Sequence, residues 1–255
     1  ELERRLRSGH AVPEGIHTVF HLGACSATTE TNASYLIRNN YEYTKMLAEW
    51  SLANGARFVY ASSAATYGGL EENLTEERPL HTLRPLNLYG YSKHRFDSYA
   101  EARGLLPKIV GLKYFNVFGP NEDHKSDMRS VVHKAFHQIN RTGTVQLFKS
   151  YRPEFADGRQ RRDFLYAKDA VKMTIHPSQK EDAGGLYNIG FGKAHTWLDL
   201  VRALFAAMDR EPRIEFIEMP ETLKPKYQYS TCAVMDRFYG TDYTEALTLV
   251  DAAVA

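Results

Sequence analysis

Cysteine is scarce. The chain holds two, Cys25 and Cys232, far apart in sequence. That excludes a disulfide framework and suits a reducing compartment. Long hydrophobic runs are also missing, and none approaches the roughly 20 residues needed to span a membrane. The opening stretch "ELERRLRSGH" is charged throughout and has no secretory pattern. No sign of charge dominates. The net charge is +1, so no basic field points to nucleic acid. These absences leave a cytoplasmic protein as the expectation, with no membrane or nucleic-acid partner. Glycine is present at 17 positions, yet none falls into a G-x-x-G-x-x-G turn.

What is there looks globular. The 255 residues are 43% hydrophobic and 25% charged, which is ordinary usage and enough chain for two lobes. Short β-branched runs alternate with helical periodicity. "IHTVFHLG" (16–23), "RFVYASS" (57–63) and "KIVGLKYFN" (108–116) read as buried strands. The spacing predicts helices over 34–54 and 88–103. This order predicts an α/β fold, a doubly wound parallel sheet with helices on both faces. Beyond Asn116 the pattern predicts a helix over 128–141, a strand over 144–148 and a long polar loop over 149–162 with four arginines. Strand and helix then follow in "DFLYAKDAVKMTIH", a strand in "GLYNIGFG", and a helix over 196–209. Thr196 and Asp199 form a capping-box start for that last helix. This half reads as a smaller lobe for substrate.

"NLYGYSKHRFDSY" (87–99) carries the chemistry. Tyr89 and Lys93 stand at i,i+4, so a helix puts them on one face. A free phenol has a pKa of about 10 and is a poor base near neutrality. A neighbouring ammonium favours the phenolate. A phenol so tuned can exchange a proton with an alcohol whose carbon gains or loses hydride. Alone, this spacing is a weak signal that a surface Tyr/Lys pair also satisfies. Upstream, however, Ser62 and Ser63 close a buried strand in "YASSAATYGG", where a hydroxyl can hold the same oxygen. "HLGACS" adds an open backbone at a further strand end.

These motifs, with "NNYEYTK", "YFNVFGPNEDHKSDMRSVVHKAF", "LFKSYRPEFADG", "RDFLYAKD" and "KYQY", resemble the extended short-chain dehydrogenase/reductase superfamily. Within it, "HLGACSATTE" and "HKSDMRSV" look like the ADP-heptose 6-epimerases. The resemblance spans nearly the whole chain. It implies a Rossmann-like fold and a bound NADP, with NAD as the alternative. It implies inversion at C6 of ADP-D-glycero-D-manno-heptose, in heptose supply for the lipopolysaccharide inner core. A homo-oligomer and no metal are also implied. Carried over, Tyr89 and Lys125 would be the two acid/bases, with Ser63 and Lys93 supporting the first. Leu22, Gly23, Ala24, Cys25, Ser26, Asn39, Lys93, Val117 and His124 would contact cofactor. Asn116, Asp127, Lys134, Phe148, Lys149, Ser150, Tyr151, Arg162 and Tyr227 would bind substrate. Arg162 suits a diphosphate, which a guanidinium can pair bidentately. The other loop arginines, Arg152, Arg159 and Arg161, are expected to be mostly solvated. Lys125 can act as an acid/base if burial and nearby cations lower its pKa.

The implied division is a dinucleotide-binding domain over 1–115, to which 163–177 returns. A substrate lobe takes 116–162 and 184–236, and 237–255 form a tail. Departures remain: Ser126 where the family favours glycine, Pro177 breaking a helix, and a short, irregular end. Ala64 and Ala65 replace the acidic pair of a 4,6-dehydratase. A UDP-hexose 4-epimerase and a non-catalytic dinucleotide-binding relative are the competing readings. Only 15 residues precede Ile16, whereas a strand–helix–strand unit takes about 30. The first strand and its glycine turn are therefore expected to lie outside this chain, with weak cofactor binding as the consequence.

Overall fold

The computed structural model describes residues 15–249. Residues 1–14 and 250–255, where the expected first domain begins and the expected tail ends, lie outside the described residues. In chain order the elements begin with β1 (Thr18–His21), α1 (Ala33–Leu36), a π-helical turn (Ile37–Glu42), α2 (Tyr43–Ala53) and β2 (Arg57–Ser63). Next come α3 (Leu88–Ala102), β3 (Ile109–Tyr114), β4 (Asn116–Phe118), α4 (Val131–Thr142) and β5 (Val145–Phe148). They continue with β6 (Arg161–Tyr166), α5 (Ala167–Ser178), β7 (Gly185–Ile189) and β8 (Ala194–Thr196). The last are α6 (Trp197–Ala207), β9 (Ile214–Ile217) and α7 (Asp236–Tyr239).

The chain divides into two compact units. The first takes residues up to Gly68, Glu76–Tyr114 and Thr174–Asn188. Its sheet has the order β1-β2-β3-β7, with β1 parallel to β2 and β2 parallel to β3. This is the α/β, Rossmann-like sheet that the alternating strand and helix periods predict. Phe58, Val59 and Tyr60 of β2 and Ile109, Val110 and Leu112 of β3 are buried. Such continuous apolar runs are what a parallel sheet covered on both faces requires. Phe96 of α3 packs edge-on against Tyr60, 4.7 Å between ring centres. Gly111 keeps β3 close, because a Cβ there would stand 2.5 Å from the Tyr60 hydroxyl.

The second unit takes Gly69–Thr75, Phe115–Met173 and Ile189 onward. Here β4 pairs parallel with β6, β6 antiparallel with β8, and β5 parallel with β9. Its core joins Ala135 and Ile139 of α4 to Val145 and Leu147 of β5 and to Val201, Leu204 and Phe205 of α6. The capping box at Thr196 and Asp199 forms, with both reciprocal hydrogen bonds made.

Two local expectations change. Pro177 does not break its helix; α5 runs through it to Ser178. Proline in the last turn removes only a terminal hydrogen bond, and Arg57 donates to the Pro177 and Ala183 carbonyls at 2.8 and 2.7 Å. The helix expected over 128–141 starts later, at Val131, where the Ser130 hydroxyl accepts from His133 N. Before it lies a 3₁₀ segment, Asp123–Met128, kinked at Ser126 with φ 47° and ψ −124°. A side chain is strained there and glycine is not, at a cost of about 1–3 kcal/mol. Ser126→Gly is therefore expected to stabilise the second unit by about 1 kcal/mol, since glycine's own entropy takes back part of the gain. Urea denaturation reads this directly, and a lower midpoint in the variant would contradict it.

Candidate functional site

In the first unit, three elements hold the tyrosine and lysine. Asn87 caps α3, its side chain accepting from Gly90 N at 2.8 Å, so Tyr89 and Gly90 lie in the first turn. Gly90 lets α3 approach the 3₁₀ turn Ala64–Tyr67, because a Cβ there would meet Ala65 O at 2.8 Å. That approach brings the Tyr89 hydroxyl beside that of Ser63. Ser63 ends β2, and its hydroxyl also accepts from Ala65 N. One turn along α3, Lys93 is buried and directs one donor to Ala61 O at 2.9 Å.

The electrostatics differ from the sequence argument. Burial pushes the Tyr89 phenol above its ordinary value, and the neighbouring Ser63 hydroxyl opposes this only in part. The expected lowering by Lys93 is therefore not the net effect in the free chain. Removing the phenol from water penalises the phenolate more than neighbouring groups favour it. Lys93 itself is pushed down to about 8, chiefly by burial, against the opposing pull of Asp97.

The loop Leu22–Ser26 follows β1. Leu22 is 48% exposed, and nothing lies within 4 Å of where a Gly23 Cβ would stand. Ala24 and Cys25 are half-buried, and Ser26 is exposed. What fixes this loop is Asn40, which the sequence reading passed over in favour of Asn39. Asn40 is buried, accepts from Cys25 N and donates to Cys25 O and Ser92 Oγ, each at 2.9 Å. Ser92 in turn donates to Tyr89 O at 2.7 Å. Asn39 is half-buried and donates to Tyr35 O instead. Both asparagines lie in the π-helical turn, a feature that often marks functional positions. An open backbone, an exposed leucine, a hydroxyl pair and a buried ammonium fit the nicotinamide-riboside end of a dinucleotide.

In the second unit, Asn116, Val117 and Lys125 line one pocket of about 220 Å³, together with Glu122, Phe164 and Trp197. Lys125 is 39% exposed, with Nζ 3.4 Å from Glu122 Oε2. Glu122 was not singled out from sequence. It is buried and accepts from Gly119 N and Ser130 N at 3.3 and 2.8 Å. Burial works to raise its carboxyl. The Ser130 hydrogen bonds and the Lys125 ammonium outweigh burial and hold it below the usual range. Lys125 thus has a carboxylate beside it and partial solvent access, where the sequence argument asked for burial and neighbouring cations. His124 is exposed in the same 3₁₀ segment, and Lys134 is exposed on α4. Asp127 lies in that segment too, with its side chain outside the described residues.

Phe148 ends β5. After it, Lys149 pairs with Glu218 at 2.7 Å, Ser150 N donates to Asp157, and Tyr151 donates to Glu218. Arg162 is buried, donating to the Arg161 and Gln228 carbonyls at 2.7 and 2.6 Å. Its guanidinium lies 5.1 Å from the Tyr227 ring centre and 5.6 Å from that of Trp197. Trp197 Nε1 donates to the Tyr227 hydroxyl at 2.9 Å. Arg159 and Arg161 are exposed, as expected. Arg152 is not merely solvated: it binds both Glu71 oxygens, at 3.0 and 2.8 Å, and covers the Tyr229 ring at 4.4 Å.

Comparison with known proteins bears on these features. The model of the NAD dependent epimerase/dehydratase family matches residues 6–190. An ADP-L-glycero-D-manno-heptose-6-epimerase of Nitratidesulfovibrio vulgaris (strain DP4) is 51% identical over 227 residues, covering 89% of this chain and 70% of that one. The protein of the same name from Fusobacterium nucleatum is 42% identical over 252 residues, covering 94% and 76%. Among solved structures, Helicobacter pylori ADP-L-glycero-D-manno-heptose-6-epimerase superposes with a TM-score of 0.80 at 26% identity. That match covers 99% of this chain and 73% of that one.

Proposed function

The chain belongs to the NAD dependent epimerase/dehydratase family, and from that premise we propose that it epimerises ADP-D-glycero-D-manno-heptose at C6 to the L-glycero form. The observation that carries the reading is the Ser63–Tyr89 hydroxyl pair with buried Lys93 one helical turn away. A hydroxyl pair of this kind holds and protonates the oxygen of a carbon undergoing oxidation or reduction. When bound, the nicotinamide supplies the hydride acceptor and donor. Ser63 orients the reacting oxygen, Tyr89 exchanges its proton, and Lys93 binds the ribose hydroxyls. The loop Leu22–Ser26, held by Asn40, covers the cofactor. On resemblance, our reading takes NADP rather than NAD as the cofactor, and a cytoplasmic homo-oligomer as the working form.

Inversion returns hydride to the opposite face of the same carbon. After the sugar turns over, its oxygen needs a second proton handler. Lys125 takes that role, and Glu122 fixes its segment. Arg162, stacked beside Tyr227, holds the diphosphate. Turnover of ADP-D-glycero-D-manno-heptose, followed by anion-exchange chromatography with UDP-galactose as the competing substrate, tests the reading. Activity on the UDP-hexose alone would replace it with the 4-epimerase. Arg162→Lys is expected to weaken ADP-heptose binding at least about tenfold, because a point charge cannot reproduce the planar fork or its stacking. Unchanged affinity by calorimetry would remove the diphosphate role.

A further inference from the structure

Helix α4 carries a feature that proton transfer and sugar binding do not use. His133 and His137 stand at i,i+4, and their ring centres are 4.6 Å apart. Asp123, from the 3₁₀ segment before the helix, brings Oδ1 to 2.9 Å from His133 Nε2. One ligand atom from each of the three residues can be chosen so that all lie within 4.8 Å of one another. We propose that Asp123, His133 and His137 form a binding site for a divalent metal ion of the zinc class.

The chemistry of the donor set argues for that class. Two neutral imidazoles and one carboxylate suit zinc and its transition-metal neighbours, whereas magnesium and calcium prefer oxygen donors alone. Three protein ligands leave a fourth position open, as in zinc sites that carry a water or an exchangeable ligand. Tetrahedral bonds of about 2.0–2.2 Å put ligand atoms about 3.3 Å apart. Asp123 and His133 already meet that spacing, and His137 is exposed, so its ring can turn in. His133 is the anchored member. Its side chain is 15% exposed, and its Nδ1 is buried with no hydrogen-bond partner among the described residues. A hydrogen bond from His133 Nε2 to Asp123 alone leaves His137 without a role; a shared cation uses all three. Arg129, Lys134 and Arg141 line the same pocket and oppose a bare dication. The site is therefore weaker than a closed four-ligand structural site, and an anion at the open position offsets that repulsion.

Calorimetric titration of the whole chain with zinc chloride near neutral pH tests this. One saturable site is expected, weakened about 10–100-fold in His137→Ala, in line with the loss when a metal site is disturbed. His137 is an exposed helix residue, so alanine should leave metal-free thermal unfolding unchanged. Asp123→Asn provides a second variant outside the helix and should also weaken binding. Cobalt should bind the wild type with the visible absorption of a tetrahedral ion, and lose that absorption in His137→Ala. Equal zinc affinity in wild type and His137→Ala would place the metal on another of the ten histidines and overturn the proposal. So would the absence of saturable binding to the wild type.

Discussion

Tyr89→Phe and Lys125→Met are each expected to lower epimerisation by about 10²–10⁴, the range general acid–base groups contribute. Neither change should unfold the chain. Phenylalanine removes one oxygen from beside Ser63 while keeping the ring. Methionine keeps most of the length of a side chain that is 39% exposed. Two handlers make a distinctive pattern. Each single variant keeps oxidation or reduction on one face of the sugar carbon, while the double variant loses both half-reactions. Half-reactions can be followed with an analogue carrying an aldehyde at C6: one molecule, as its hydrate, is oxidised to the acid, and the hydride it gives up reduces a second molecule to the alcohol. Near wild-type epimerisation by Lys125→Met would remove the second handler. In the free chain, Tyr89 keeps its proton through neutrality because burial raises its pKa. The phenolate must then be favoured by ligand binding, so this pH limb should appear with substrate bound and be absent from Tyr89→Phe.

How much of this was legible in the sequence depended on range. Strand β2, helix α3 and the Thr196–Asp199 cap follow from local periodicity and capping chemistry, and they stand where those rules put them. The hydroxyl–phenol–ammonium set was legible for the same reason, since Ser63 ends a strand and Tyr89 and Lys93 share one helix face. Asn40 was not legible. Counting at 3.6 residues per turn does not anticipate a π-helical turn, which shifts the phase, so Asn39 took the place that Asn40 occupies in space. Glu122 stayed hidden because its contacts depend on the fold of the following segment. A serine held at φ 47° is not something composition announces. Direction of pKa was misread for a related reason. Sequence shows the neighbouring charge but not the desolvation, and for Tyr89 desolvation is the larger effect.

Lys113→Met is expected to destabilise the first unit by about 3–5 kcal/mol, the cost of stranding one charge of a buried pair. Sequence patterning gives no warning of this pair, because charged residues are almost never fully buried unless paired. Yet Lys113 and Asp97 have fully buried side chains, 2.9 Å apart. Every oxygen of Asp97 is engaged: Tyr60 donates to Oδ1 at 2.8 Å, and Ser62 and Lys113 to Oδ2 at 2.7 and 2.9 Å. Lys113 also donates to Thr66 Oγ1 at 2.7 Å, and Thr66 in turn donates to Ser63 O at 2.7 Å. The network therefore runs beneath Ser63 and ties down the end of β2 on which it sits. Removing either charge alone leaves the other unpaired, and Asp97→Leu also strands the buried Tyr60 and Ser62 hydroxyls, so it should cost more than Lys113→Met. The double variant Asp97→Leu/Lys113→Met should regain the part of the stability lost to the unpaired charge, since apolar replacement of a buried pair is often neutral, but not the part lost at the Tyr60 and Ser62 hydroxyls. Urea denaturation of the three variants closes that cycle. Single variants within about 1 kcal/mol of wild type would show that the pair is not isolated from water. If the pair also positions Ser63, the double variant should stay folded yet lose kcat with little change in KM. Wild-type kcat in that folded variant would confine Asp97 and Lys113 to stability alone.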